Sequence, residues 1–271
     1  MRHPVRHSRR SVLAPLALGP FALASGLLAG LAGATAIGFP AHKALAADDT
    51  PPVVVELFTS QGCNSCPPAE ALLAELADRD GVIALEFHVD YWDYIGWSDP
   101  FADPSYTHRQ RFYNQLFGSP YNYTPQMVID GRAHEVGSRE TAVEARIEAA
   151  AMKRMMDADD GALPDLNVAM DEAGGMVVTL DGPAPDGGSY RILLAGFDDR
   201  HVTEVEAGEN SGRTLVNRHV VRSLMTLDAH WSGGPALHRI SADMMSGDGG
   251  CAVLIQDMDT GTIAAAQMLQ F

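Results

Sequence analysis

Val53-Val54-Val55-Glu56-Leu57-Phe58 is a short, β-branched apolar run of the kind that fills a buried strand. A loop, Thr59-Ser60-Gln61-Gly62, separates it from Cys63-Asn64-Ser65-Cys66. A helical pattern then runs from Ala69 to Ala77, with Leu72, Leu73 and Leu76 on one face. Gly81 ends it, and Val82-Ile83-Ala84-Leu85-Glu86-Phe87 reads as a second strand. Strand, helix and strand in this order make a βαβ unit and require a parallel pair. The cysteines therefore fall at the turn from a buried strand into a helix.

The chain continues with an unusual stretch from His88 to Gly118, opened by the aromatic residues Tyr91, Trp92, Tyr94 and Trp97. Pro100 and Pro104 lead into a helix expected over Ser105 to Phe117. Strands are expected at Gln126–Asp130 and Arg132–Val136, joined by Asp130-Gly131, a strong hairpin signal. Ser138 can cap a helix running to about Met156, with Val143, Ile147 and Met155 facing inward. Residues 47–156 thus read as an α/β unit, a mixed sheet flanked by helices with a helical and aromatic insert. Asp157–Asp165 is polar and holds Gly and Pro, the composition of a linker. From 166 to 271 the pattern is many short strands between Gly- and Asp-rich turns, which reads as an all-β, sandwich-like domain.

Residues 1–46 have a different character. Paired arginines, Arg9-Arg10, precede a long apolar run from about Val12 to Phe39, and Ala44-Leu45-Ala46 gives a small-residue cleavage signal. This is the pattern of a signal peptide, and the arginine pair gives it a twin-arginine form. An ordinary secretory leader and a retained membrane anchor are the alternatives. The segment holds five basic residues and no acids, so the remaining chain carries 14 Lys and Arg against 35 Asp and Glu, a net of −21. Nucleic acid is excluded as a partner on that balance, since binding needs a basic footprint. The same charge repels anionic lipid and promotes solubility, so a periplasmic or secreted protein without stable membrane insertion after leader cleavage is expected.

The C-x-x-C pair carries the sharpest chemical signal. A first cysteine at a helix N-terminus faces free backbone N–H groups and the positive end of the helix dipole, which lower a thiol pKa. Cys63 would then attack and Cys66, one turn further in, would resolve the mixed disulfide. The alternatives are half of a zinc site, for which no further ligands lie near in sequence, and an inert structural disulfide.

The surrounding motifs are long. Residues 53–156 resemble the thioredoxin superfamily. The run Glu56-Leu57-Phe58-Thr59-Ser60-Gln61-Gly62-Cys63-Asn64-Ser65-Cys66-Pro67-Pro68-Ala69 is more narrowly similar to an uncharacterised family of secreted bacterial thioredoxin-like proteins, a domain of unknown function numbered 1223. So are the run from His88 to Phe101, and Gly208 to Leu215 together with Val220-Val221-Arg222. The resemblance implies a thioredoxin-like fold with an added β domain and brings no assigned reaction. Asn64-Ser65 differs from the dipeptides of well-known thioredoxins and disulfide isomerases, which leaves the direction of redox transfer open.

The resemblance also implies roles for other residues. Pro125, following Thr124 and preceding the third strand, matches a proline that is cis in thioredoxin-like folds, and Thr124 would pair with a substrate backbone. An ordinary trans proline is the alternative. Glu56 lies on the strand where thioredoxins carry a buried acid that moves protons for the resolving thiol, although a solvent-facing or salt-bridged acid is the plainer reading. Tyr91 and Trp92 either wall a substrate groove or pack in the core.

Other residues are secondary. His88, Asp90 and Asp93 suit a satisfied polar network better than a metal site, so no metal is assigned. Arg109 and Arg111 would lie on the helix surface or pair with those aspartates. Cys251 reads as a buried small hydrophobe. His219 with Arg213 and Arg222 is polar enough for an anion, though surface roles fit better. The leading expectation is an exported thiol-disulfide oxidoreductase acting on protein or small-molecule thiols and disulfides, with no cofactor beyond the cysteine pair. A non-catalytic binding module with a static disulfide and a metal-handling protein are the competing classes.

Overall fold

The computed structural model describes residues 50–271; the leader expected over 1–46 lies outside the described residues. Strands β1 (Val53–Thr59) and β2 (Val82–His88) are buried at every position and pair in parallel, Val53 opposite Val82 through Thr59 opposite His88. Helix α1 (Pro67–Ala77) connects them, which completes the βαβ unit. The expected second helix is α2 (Pro104–Leu116), capped by the Asp103 carboxylate, which accepts the Ser105 N–H at 2.7 Å.

β3 (Gln126–Ile129) runs antiparallel to β1, and β4 (Ala133–Val136) pairs with β3 at the edge of the sheet. The turn between them uses Asp130 and Gly131 at φ 52° and 63°, and the Arg132 N–H closes on the Ile129 carbonyl at 2.9 Å. Gly131 is required twice over, because a Cβ there would lie 1.9 Å from the Gly261 carbonyl oxygen.

Helix α3 (Glu140–Asp159) differs from expectation on one face. Its buried residues are Val143, Ile147, Ala150 and Arg154, and Met155 is 51% exposed. The buried positions recur at spacings of four, three and four, which excludes 155 and turns a charged residue inward. Arg154 is satisfied there by Asp130, with contacts of 2.6 and 2.7 Å, and by the Ile263 carbonyl at 3.1 Å.

The remaining strands are β5 (Asp165–Met170), β6 (Met176–Asp181), β7 (Tyr190–Glu204), β8 (Thr214–Trp231), β9 (Ala236–Ile240), β10 (Gly250–Asp257) and β11 (Ile263–Gln270). Where many short strands are expected, β7 and β8 are long, 15 and 18 residues, and pair with each other along a hairpin. β9 was not legible, because only Ile240 of its five residues is buried. β8 meets β2 in parallel where Val220 pairs with Glu86. One mixed sheet therefore runs β11-β10-β7-β8-β2-β1-β3-β4, and β5-β6-β9 form a second, smaller sheet.

The two faces of β1 bury different material. Val53, Val55 and Leu57 meet Leu72, Leu73 and Leu76 of α1 and Val143 and Ile147 of α3. Val54 and Phe58 share a cluster with Tyr106 and Tyr113 of α2 and with Phe197, Val221 and Leu254. This is the alternation that a pleated strand imposes. In the C-terminal half, Val168, Val178 and Leu180 of the small sheet face Ile192, Leu194, Val253 and Ile255 of the large one. Two β layers thus oppose each other there, and the larger is continuous with the sheet of the N-terminal half.

Candidate functional site

β1 ends at Thr59, and the loop that follows carries the cysteines into α1. The Cys63 N–H bonds the Ser60 carbonyl at 3.0 Å, and the Cys66 N–H bonds the Cys63 carbonyl at 3.2 Å. Cys66 is the N-cap residue of α1. Its carbonyl accepts the N–H groups of Ala69 and Glu70, at 2.8 and 3.1 Å, and Pro67 and Pro68 occupy the first turn, where an N–H would have no partner. Cys63 and Cys66 are joined by a disulfide. Both are buried, Cys63 at 1% exposure and Cys66 at 0%, while Asn64 and Ser65 between them are exposed. The Ser65 Oγ stands 3.4 Å from the Cys63 Sγ.

Two segments cover the loop. The first is a 3-10 turn over Asp90–Ile95: a side chain at Gly62 would meet the Trp92 Cβ at 3.1 Å and Ile95 at 3.3 Å. The Trp92 indole N–H then donates to the Thr124 hydroxyl at 2.8 Å, so this one residue bridges the cysteine loop and Thr124. The Thr124–Pro125 peptide bond is cis. Tyr91 is half-buried and donates its hydroxyl to Gln110 at 3.2 Å, and burial pushes the phenol up to about 12. The second covering segment is the tip of the β7–β8 hairpin, from which Asn210 donates to the carbonyls of Gln61 and Cys63, both at 2.9 Å.

Behind the loop, on the α1 side of the sheet, lies a buried polar cluster. Glu70 sits one turn beyond Cys66 and accepts the Thr59 hydroxyl at 2.7 Å. Burial raises its carboxyl to about 8, with the Glu86 carboxylate adding to the effect. His88 places Nδ1 at 2.7 Å from Asp99, and its Nε2 stands 3.3 Å from Glu86 without the alignment of a hydrogen bond. Burial alone would lower the imidazole pKa, yet Asp99 and Glu86 together hold it well above the usual value. Asp99 is lowered despite burial, because His88 and the N–H groups of Gln61 and Phe101 favour its ionised form. Asn217 donates to Glu86 at 2.7 Å, and the Gln61 amide reaches Asn217 at 3.2 Å. The cluster is thus tied to the cysteine loop through Gln61, whose backbone N–H bonds Asp99 at 2.7 Å.

Glu56 is placed elsewhere. It shares the α2 face of β1 with Val54 and Phe58, and its carboxylate is held by Arg109 at 2.6 Å and by the Tyr113 hydroxyl. Gln256 completes that network, accepting from Arg109 at 3.0 Å and donating to Tyr113 at 2.8 Å. The sheet separates this carboxylate from α1, and the buried acid on the cysteine side is Glu70. Arg109 accordingly pairs with Glu56 and not with the aspartates of the aromatic segment. Asp90 bonds Thr107, and Asp93 accepts from the Asp99 N–H.

Other candidates do not converge. His219 is buried against the Ala84 carbonyl, Arg213 bonds Asn210, and Arg222 lies over the Phe101 ring. Cys251 is buried with its sulfur 3.4 Å from that of Met176, and burial raises the thiol to about 11. Among the described residues no group of three His, Cys, Asp or Glu is arranged to hold a metal ion. An open cavity lined by Tyr121, Tyr123, His134 and Arg139 contains neither cysteine. Glu70, Glu86, Asp99 and Asn210 escaped the sequence reading as site residues. Glu86 alternates with His88 on β2, and Asp99 and Asn210 lie within motifs that carried the family resemblance, so three of the four left a trace.

The comparisons agree with a shared fold and give no reaction. No curated protein matches the chain. A crystal structure of an Agrobacterium tumefaciens protein is similar, at 29% identity and a TM-score of 0.67, over 80% of this chain and 93% of that one. The family described as a protein of unknown function, DUF1223, matches residues 54–256, most of the described sequence. The chain belongs to that family.

Proposed function

We propose that this is an exported thiol-disulfide exchange protein whose redox group is the Cys63–Cys66 disulfide. One observation carries the reading: a disulfide-bonded C-x-x-C whose second cysteine caps a helix directly after a buried strand. The βαβ order, the proline before β3 and the β3–β4 hairpin followed by α3 support a thioredoxin-like fold for this half. The leader pattern of residues 1–46 supports export to the periplasm or beyond.

The chemistry needs only a thiol reductant. An incoming thiolate attacks the Cys63 sulfur and the S–S bond breaks. Cys66 leaves as a thiolate at the helix N-terminus, where the dipole stabilises it and a proton can follow. A second thiolate attacks the mixed disulfide, releasing the oxidised reductant and leaving Cys63 reduced. The net change is one protein disulfide reduced and two small thiols joined. Oxidation of a substrate dithiol runs the same steps backwards. Glu70, neutral below about pH 8, is the buried group suited to hold the proton for Cys66. Trp92 packs over Gly62 of the cysteine loop and bonds Thr124, which supports Thr124, Tyr91 and Trp92 as the residues a substrate would pass.

Burial of both cysteines favours a second reading, a binding module with a static disulfide. The reduction potential separates the two. Equilibration in glutathione and dithiothreitol buffers, followed by alkylation of free thiols, should give a midpoint between about −270 and −120 mV, the range of exchange proteins. A pair still oxidised below about −300 mV is a structural bond and ends the exchange reading. A Cys66→Ser variant should retain glutathione as a mixed disulfide on Cys63.

A further inference from the structure

β7 and β8 close through residues 205–213, and this tip returns to the cysteine loop 147 positions away. It is internally bonded. The Val205 N–H meets the Arg213 carbonyl at 2.9 Å, the Gly212 N–H meets the Val205 carbonyl at 2.8 Å, and the Ser211 hydroxyl meets the Glu206 carbonyl at 3.0 Å. Asn210 is fully buried at its centre. Its amide nitrogen spends both hydrogens on the Gln61 and Cys63 carbonyls, and its oxygen accepts from Arg213 at 3.0 Å. Gly208 adopts φ 76°, and a Cβ there would come within 3.2 Å of the Trp97 Cβ. The tip is therefore seated on the cysteine loop and on the aromatic segment together.

We infer that this hairpin tip, seated through Asn210, is a specificity element that admits small thiols to the cysteine pair and excludes protein-sized ones. The inference rests on the exchange reading for its biological meaning. The loop presents only Asn64 and Ser65 to solvent, and the Ser65 hydroxyl stands beside the Cys63 sulfur, so the approach to that sulfur runs past Ser65. A small thiol needs only its own sulfur in line with the S–S bond. A protein partner must also lay several residues of backbone over the loop, in the space that the tip and the 3-10 turn fill. Its carbonyl partners are already taken: Asn210 occupies the Gln61 carbonyl and shares the Cys63 carbonyl with the Cys66 N–H, so neither is free for a docked strand.

The test measures access without requiring turnover. The full chain in a Cys251→Ser background is reduced, the reductant is removed, and labelling rates are compared for N-ethylmaleimide and for maleimide on a polyethylene glycol chain. Free glutathione gives the ratio expected without a barrier. The wild-type pair should prefer the small reagent by roughly tenfold or more over that ratio, because the larger one reacts only with the open population. Asn210→Ala should bring the preference down to the glutathione value. Arg213→Ala, which frees the Asn210 oxygen and leaves the loop contacts in place, should fall between. A wild-type ratio equal to that of glutathione overturns the inference whether or not the variants fold, as does an Asn210→Ala protein of unchanged preference. A pair that shows the size preference but resists reduction at every glutathione ratio ends the exchange reading and leaves the barrier standing.

Discussion

Thr59 donates its hydroxyl hydrogen to the buried carboxyl of Glu70, 2.7 Å away. Thr59 is the last residue of β1 and Glu70 lies in the first turn of α1, so their bond spans the loop that holds both cysteines. The strand end and the helix start are thereby held together at a protonated acid, and the protonation of that acid becomes part of the stability of the fold.

Glu70 should make the protein less stable as pH rises. Its folded pKa, about 8, lies above its ordinary value of 4.5. Between those values the native state keeps a proton that the unfolded chain has lost, so stability is greatest below about 4.5 and declines towards 8. The slope approaches roughly 1.4 kcal/mol per pH unit for one group. Urea unfolding of wild type and Glu70→Gln from pH 4.5 to 6.5 should show this slope in the first protein and its loss in the second. Parallel profiles would remove Glu70 from the proton balance.

His88 supplies the cation between two buried carboxylates, and its raised pKa adds a second decline above about 6.5, its unfolded value. Replacing it with asparagine leaves Asp99 and Glu86 facing each other with no countercharge. The cost should be about 3–5 kcal/mol at pH 7, as for other broken buried pairs, and should shrink on acidification as a carboxylate takes up a proton. Denaturant midpoints at pH 7 and 5 give the comparison. Equal losses at both would show that the charge is not what His88 contributes.

Glu56 and Glu70 should separate cleanly in their effects. Glu56→Gln breaks the buried contact with Arg109 and should lower stability by about 3–5 kcal/mol. The pH profile of thiol exchange should be unchanged, because the sheet lies between this carboxylate and α1. Glu70→Gln should shift that profile. Stopped-flow exchange with glutathione between pH 6 and 9 measures both. A shifted profile in Glu56→Gln would restore that residue to the proton path.

Gly131→Ala should destabilise by roughly 2 kcal/mol or more, because the new Cβ would press on the Gly261 carbonyl at a left-handed φ. Arg132→Ala, beside it in the turn but on an ordinary backbone, should change the melting temperature little. Thermal unfolding of both variants checks the contrast.

The legible parts of this fold were those written in local pattern. The βαβ unit was readable because β1 and β2 are apolar throughout and α1 buries a single stripe of leucines. The C-x-x-C needed only its place between them. The acid cluster was not readable, because Glu70 looks like a solvent-facing carboxylate answering a helix dipole until its partners are known. It bonds Thr59 at the end of β1, and the charges that act on it, Glu86, His88 and Asp99, come from β2 and the segment after it, and no spacing rule relates those positions. Arg154 was hidden for a similar reason. A charged residue on the buried stripe of α3 makes sense only once Asp130, 24 positions earlier, is seen beside it. Met155, apolar and adjacent, was the more natural choice by composition.

The bonds that complete the cysteine site join residues 131 to 156 positions apart: Glu86 to Asn217, Cys63 to Asn210, Gln61 to Asn217. A chain made from its N-terminus therefore possesses both thiols, and the 3-10 turn that covers one side of them, long before it possesses the hairpin half of their cover. Until β8 is synthesised, Glu86 lacks the Asn217 amide and the cysteine loop lacks Asn210. Such long closures come late in folding, since chain entropy must be lost before they reward it. The time between making the cysteines and closing them in is thus set by the length of sequence between residues 66 and 210, and any oxidant or thiol that meets the young chain meets the pair without its hairpin.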